Sequence, residues 1–103
     1  MIPWTNGRPT QKGDYILSFE RTWPQVCRGF SQDMTDAPGN TVTKYSRLDD
    51  VPWRPYPDEL PDGYNPPLII LRHKDRQGTF FYETEVYDVT KDYPLVVGWS
   101  PVL

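Results

Sequence analysis

"LIILRHKDRQGTFFYETEV", residues 68–86, decides the fold class. Two β-prone runs, Leu68 to Lys74 and Thr79 to Asp88, flank Asp75-Arg76-Gln77-Gly78, which has the composition of a hairpin loop. A four-residue loop pairs Lys74 with Thr79, Arg72 with Phe81 and Ile70 with Glu83. The other face then carries Ile69, Leu71, His73, Phe80, Tyr82, Thr84 and Val86. That face is almost wholly apolar, so the sequence predicts a half-buried hairpin in this register. A slip of one residue would turn every side chain over.

Outward from this hairpin the same signals recur. Asp92-Tyr93-Pro94 turns the chain into a short run, Leu95 to Trp99. Near the other end, Tyr15, Leu17 and Phe19 alternate with Ile16, Ser18 and Glu20, the pattern of a strand with one apolar face. Arg21-Thr22-Trp23-Pro24 reads as a turn, and Gln25 to Phe30 as a returning strand. Ala37-Pro38-Gly39-Asn40 turns into Thr41 to Ser46, a third, β-branched strand. Placed at an edge, residues 41–46 would offer a pairing surface for a dimer. Twelve prolines interrupt nearly every window, so no helix of normal length is expected. Residues 31–37 hold at most one turn, with Ser31 as its cap.

The expected fold is mainly β: about six antiparallel strands with little or no helix. They form two three-stranded meanders packed together, or a half-open barrel. Residues 1–103 are read as one domain, with 1–51 and 68–103 as related halves joined by the Pro-rich segment 52–67. Val42-Thr43-Lys44 followed by Trp53-Arg54-Pro55 matches Val89-Thr90-Lys91 followed by Trp99-Ser100-Pro101.

Composition narrows the function classes. Aromatics make up 15% of the chain, which argues for a ring-built core despite a mean hydropathy of -0.68. Net charge is -3: residues 1–51 balance six basic against six acidic groups, and residues 52–103 carry five against eight. An acidic chain argues against duplex nucleic acid, whose binding proteins neutralise phosphates. Cys27 is the single cysteine, which excludes an internal disulfide and suits a reducing cytoplasm. No apolar run is long enough to span a membrane, and Met1-Ile2-Pro3-Trp4 lacks the marks of a signal peptide.

Chemistry-bearing residues are sparse. Cys27 and His73 form a conceivable nucleophile and base, but no nucleophile elbow supports them. An inert thiol and a strand-end His are the simpler reading. Glu83 and Glu85 are a carboxylate pair without further ligands at metal spacing. A solvated face explains them, with Glu83 diagonal to Arg72. No Gly-rich phosphate loop is present. No catalytic residue, metal or cofactor is therefore expected.

"VPWRPYPDELPDGYNPP", residues 51–67, is different: six prolines, one Trp, two Tyr and a run of acids. It cannot be an inner strand, because each proline removes a ladder donor. Residues 49–62 hold five carboxylates against one Arg. Proline reduces the entropy lost on docking, and Tyr and Trp are common interface anchors. The candidate partner-binding residues are Trp53, Arg54, Tyr56, Asp58, Glu59, Asp62 and Tyr64. For Trp53 a core plug is the favoured reading, with Arg54 reaching along it to solvent. The plain alternative for the segment is a connector that wraps the sheet edge.

"WTNGRPTQKGDYILSF", residues 4–19, resembles the opening of a domain of unknown function common in small phage and prophage proteins. Trp4, Pro9, Gly13, Tyr15, Ile16 and Leu17 carry the likeness, with Arg8 where a Leu is usual. Trp53-Arg54-Pro55 or Trp99-Ser100-Pro101 resembles the closing segment, without its His and Met. The resemblance implies a phage or prophage origin and a small β domain, and it brings no catalytic residues. The expected function is a non-enzymatic phage-type accessory protein, cytoplasmic in a bacterial host. It would bind, and by binding inhibit, a host defence or replication protein with a basic surface. The alternative is an aromatic-pocket binder or sink for a nucleotide signal or single-stranded nucleic acid.

Overall fold

The computed structural model describes residues 1–65 and 67–102. By backbone contacts the chain divides into two units: Pro3–Val51, and the chain from Pro52 onward together with Met1–Ile2. The Pro-rich residues 52–65 thus fall within the second unit. Among the described residues no helix is long and apolar enough to cross a membrane.

The first unit holds β1 (Thr5–Asn6), β2 (Gly13–Phe19), β3 (Gln25–Phe30) and β4 (Val42–Arg47), followed by a 3-10 turn, Leu48–Asp50. The strands form one antiparallel sheet in the order β1-β4-β2-β3. The alternation read in residues 15–19 sets its core. Tyr15, Leu17 and Phe30 are buried together, and Tyr15 meets Phe30 and Tyr45 edge-on at 5.7 and 5.6 Å. Ile16, on the opposite face, is buried as well. β4 is an inner strand, because Thr5–Asn6 adds outside it. Residues 43–45, expected at a free edge, are therefore covered on that side by β1 and Gly7.

The second unit holds β5 (Arg54–Pro55), β6 (Leu68–Lys74), β7 (Phe80–Val86) and β8 (Val96–Pro101), in the order β5-β8-β6-β7. Ile69, Leu71, Tyr87, Tyr93, Val96 and Trp99 form its core. The architecture is thus two four-stranded antiparallel sheets with eight strands. The expectation is about six strands, as two packed three-stranded meanders or as a half-open barrel; the last strand of each unit instead pairs with the first strand of its hairpin. The six longer strands lie where the sequence places them. The two added strands have two residues each and contain no apolar alternation to find.

The β6–β7 register differs from the expected one. Lys74 pairs with Phe80, His73 with Phe81, Arg72 with Tyr82 and Leu71 with Glu83. The loop has five residues, Asp75–Thr79. Asp75 Oδ1 accepts from the Gln77 and Thr79 N–H groups, both at 2.9 Å, and Gly78 takes φ +84°. This side-chain turn plus a left-handed glycine absorbs one more residue than a four-residue loop. The extra residue moves Glu83, Glu85 and Phe81 onto the face of His73, and Tyr82 and Phe80 onto the face of Arg72.

The two sheets follow one plan. Each runs short edge strand, hairpin, then a last strand inserted between the edge strand and the hairpin. Tyr15-Ile16-Leu17 pair with Arg47, Ser46 and Tyr45; Ile69-Ile70-Leu71 pair with Pro101, Ser100 and Trp99. Both last strands slip by one residue at the same point, after Ser18 and after Arg72. The flanking bonds correspond too. Gly7 N–H donates to Thr43 O at 2.8 Å, and Tyr56 N–H to Val97 O at 3.2 Å; Glu20 to Thr41 and Lys74 to Leu95 both measure 3.0 Å. This alignment matches Pro3-Trp4 with Pro52-Trp53, Ile16-Leu17 with Ile70-Leu71, Val42 with Val96 and Ser46 with Ser100. The likeness read between Val42–Lys44 and Val89–Lys91 is not this one. The former lie in β4 and the latter in a turn after β7.

Candidate functional site

The seven residues singled out from the Pro-rich segment do not share one surface. Trp53 is half-buried, its ring 5.7 Å from Tyr82 and 5.6 Å from the Arg72 guanidinium. Tyr56 packs on the opposite face, against the core, edge-on to Tyr93 at 6.0 Å. Burial pushes its phenol pKa up, with smaller contributions from Tyr87 and Asp92. Arg54 is exposed, its guanidinium 5.1 Å from the Trp99 ring. Trp53 and Tyr56 are thus inward anchors. The edge strand β5 explains this, because successive residues of a strand point to opposite sheet faces.

Beyond this root the segment forms an arm. Glu59 N–H donates to Pro55 O at 2.9 Å, and Trp99 Nε1 donates to Glu59 O at 2.9 Å. Asp62 Oδ1 accepts from Tyr64 N–H at 2.9 Å, which shapes the tip. A methyl group at Gly63 would stand 3.3 Å from Val89 Cγ2, so the tip lies against the loop after β7. Asp58, Glu59, Leu60, Asp62 and Tyr64 are exposed, and none of these carboxylates is ion-paired among the described residues. Tyr64 is fully open to solvent.

The loop after β7 builds a second feature that sequence reasoning missed. The Asp88 carboxylate accepts from Thr90 N–H at 2.9 Å and from Thr90 Oγ1 at 2.7 Å. These bonds hold its pKa below the usual carboxylate value. The turn brings Lys91 Nζ within 3.2 Å of both Glu85 oxygens, which raises the Lys91 pKa. Tyr93 Oη donates to Glu85 Oε2 at 3.1 Å, and burial pushes its pKa up. On the sheet, His73 stacks on Phe81 with ring centroids 4.5 Å apart, and its Nε2 lies 2.9 Å from Glu83 Oε1. Of these groups His73, Phe81, Glu83, Lys91 and Tyr93, with Asp92, Pro94 and Leu95, line a pocket of about 280 Å³. The Asp-x-Thr turn signature at 88–90 and the Asp75…Gly78 loop were the available clues.

The first unit has a pocket of about 260 Å³ whose lining includes Phe19, Gln25, Cys27, Phe30 and Val42. Arg8 reaches over the Phe30 ring at 5.1 Å, pairs with Asp36 at 3.5 Å and donates to the Met34 carbonyl. Burial, then Asp14, pushes the Cys27 thiol pKa up, which keeps it protonated and poorly nucleophilic. His73 is engaged by Glu83 and Phe81, and Glu83 faces His73 rather than Arg72. No group of three or more His, Cys, Asp or Glu among the described residues is arranged to hold a metal.

Comparison with protein-family models, curated proteins and solved structures yields no match. The phage-type resemblance of residues 4–19 therefore stands on those residues alone.

Proposed function

We propose that the protein is a non-enzymatic binding protein, a phage-type accessory factor acting in the host cytoplasm. Its acidic arm docks on a basic surface of a bacterial host protein and blocks that surface. The observation that carries this reading is the arm itself: its root is bonded to the sheet, and its tip presents Asp58, Glu59, Leu60, Asp62 and Tyr64 to solvent. A prolined, pre-shaped loop loses less entropy on docking than a free one. An exposed Tyr and Leu supply apolar area inside a ring of charge, the composition of an anchor with a polar rim. The net charge of the chain lies wholly in this unit.

The nucleotide-sink alternative draws on Tyr45, Arg47, Trp53, Arg54 and Tyr56, of which Tyr45 packs on Tyr15, Arg47 bonds Gln11 and Tyr56 packs on Tyr93. It is less well supported, because Trp53 already packs on Tyr82 and Arg72, and Arg54 on Trp99. The pocket beside Glu83 and Asp92 would also repel phosphates.

The test is capture from bacterial lysate with the native chain and with Asp58→Asn, Glu59→Gln, Tyr64→Ala combined. Asp62 is left in place because it shapes the tip. A captured protein that is released by moderate salt and lost by the triple variant is expected. Retention of every captured partner by that variant would overturn the docking arm.

A further inference from the structure

The pocket in the second unit has a control in the first. Phe19 and His73 face Val42 and Val96 across the same strand slip. Gln25 and Glu83 pair with Leu17 and Leu71, and Cys27 and Glu85 pair with Tyr15 and Ile69. One sheet plan is thus built with a ring, an amide and a protonated thiol at three positions. In the second unit the same positions hold His, Glu and Glu. The strand arrangement does not demand that charge.

The cation of this cluster does not balance its carboxylates. Lys91 neutralises Glu85, and His73 takes one oxygen of Glu83. Among the described residues the second Glu83 oxygen and the Asp92 carboxylate remain, so the pocket is negative. Its other walls are Lys91, whose ammonium is paired with Glu85, and Phe81, Tyr93, Pro94 and Leu95. Carboxylates beside aromatic rings suit an ammonium group, which is attracted by both. Lys91 displays this chemistry within the protein: its ammonium lies 3.2 Å from Glu85 and 5.3 Å from the Tyr93 ring centroid. A volume of about 280 Å³ falls below the ~300–1,000 Å³ of drug-sized ligand sites and fits one side chain.

We propose that this pocket receives the ammonium of a lysine side chain on the partner protein. The proposal rests on the functional reading above for a basic partner, but not on the arm.

The test is an amide NMR titration of the intact chain with Nα-acetyl-lysine methylamide. Its Nε-acetylated, neutral counterpart and putrescine serve as comparisons. Saturable shifts centred on His73, Phe81 and Tyr93 are expected for the charged lysine and not for the neutral one. Glu83→Gln and Asp92→Asn should each weaken binding about two- to five-fold, as for half-exposed ion pairs. Glu83→Gln installs the residue that the first unit carries at this position, so its fold should persist, which an unchanged amide spectrum outside the pocket verifies. Equal shifts with the neutral compound, or full affinity in both variants, would overturn the proposal. Tighter binding of putrescine than of the lysine compound would overturn the docking of a partner side chain in favour of a free polyamine. The arm substitutions leave this probe's binding unchanged, so the two readings fail separately.

Discussion

Trp99→Phe separates the two jobs of one side chain. The indole is 3% exposed in the core, and its Nε1 makes the 2.9 Å bond to Glu59 O that ties the arm down. Phe keeps a ring in the core and removes the N–H. Losing one such bond costs about 1 kcal/mol net, because the freed carbonyl on an exposed arm regains water. The smaller ring leaves a void on the order of 40 Å³, about 1 kcal/mol at ~24 cal/mol per Å³. The expected total is about 2 kcal/mol, a fall in Tm of roughly 8–12 °C. The sheet should persist, since the first unit holds Tyr45 at this place with no such tether. The arm should loosen, so a glutamyl endopeptidase should cut after Glu59 several-fold faster and the Glu59 amide should exchange faster. Unchanged cleavage and exchange would refute the tether. A loss beyond about 4 kcal/mol would show that the indole carries more of the fold than its contacts indicate.

Ser46 Oγ is buried without a hydrogen-bond partner among the described residues, so Ser46→Ala should be neutral or stabilising by up to about 1 kcal/mol, read as a urea midpoint shift at constant m. Burial raises the pKa values of Cys27, Tyr56 and Tyr93, and Glu85 raises that of Lys91. Each group holds its proton more tightly when folded. That stability is complete at neutral pH and is lost as pH climbs from about 8.5 for the thiol and about 10 for the others. Urea midpoints at pH 7, 9 and 10.5 should fall in that order, and a flat or rising series would contradict the assigned burial.

The sequence made the strands legible because alternation and turn residues mark them, as in Tyr15-Ile16-Leu17 and Ala37-Pro38-Gly39-Asn40. It did not disclose β1 and β5, since two-residue strands carry no period. The hairpin register failed on one loop residue: apolar alternation supports either register when Phe80, Phe81 and Tyr82 are consecutive aromatics. Only the Asp75 turn and the backbone of Gly78 break the tie. That slip hid the pairing of His73 with Glu83. That Tyr56 packs against the core was not legible, because a Pro-rich context says nothing about which sheet face an edge strand gives its neighbours. The arm's tip, from Asp58 to Tyr64, was legible from composition, since charge and proline keep such a segment outside.

In each unit the strand made last lies between the first and the hairpin. Before that strand exists, a nascent unit is only a two-stranded ribbon, which is marginal in water. The first sheet can close once residue 47 has emerged, and the second must wait for residue 101. At ribosomal speeds of ~5–20 residues per second, the second sheet closes roughly 3–11 s after the first, and Phe80–Val86 waits about 1–3 s of that beside an unfinished neighbour. Truncated chains ending in the 75–95 interval would therefore pair a finished half with an aggregation-prone one, making the codons of Val96–Pro101 a checkpoint for quality control.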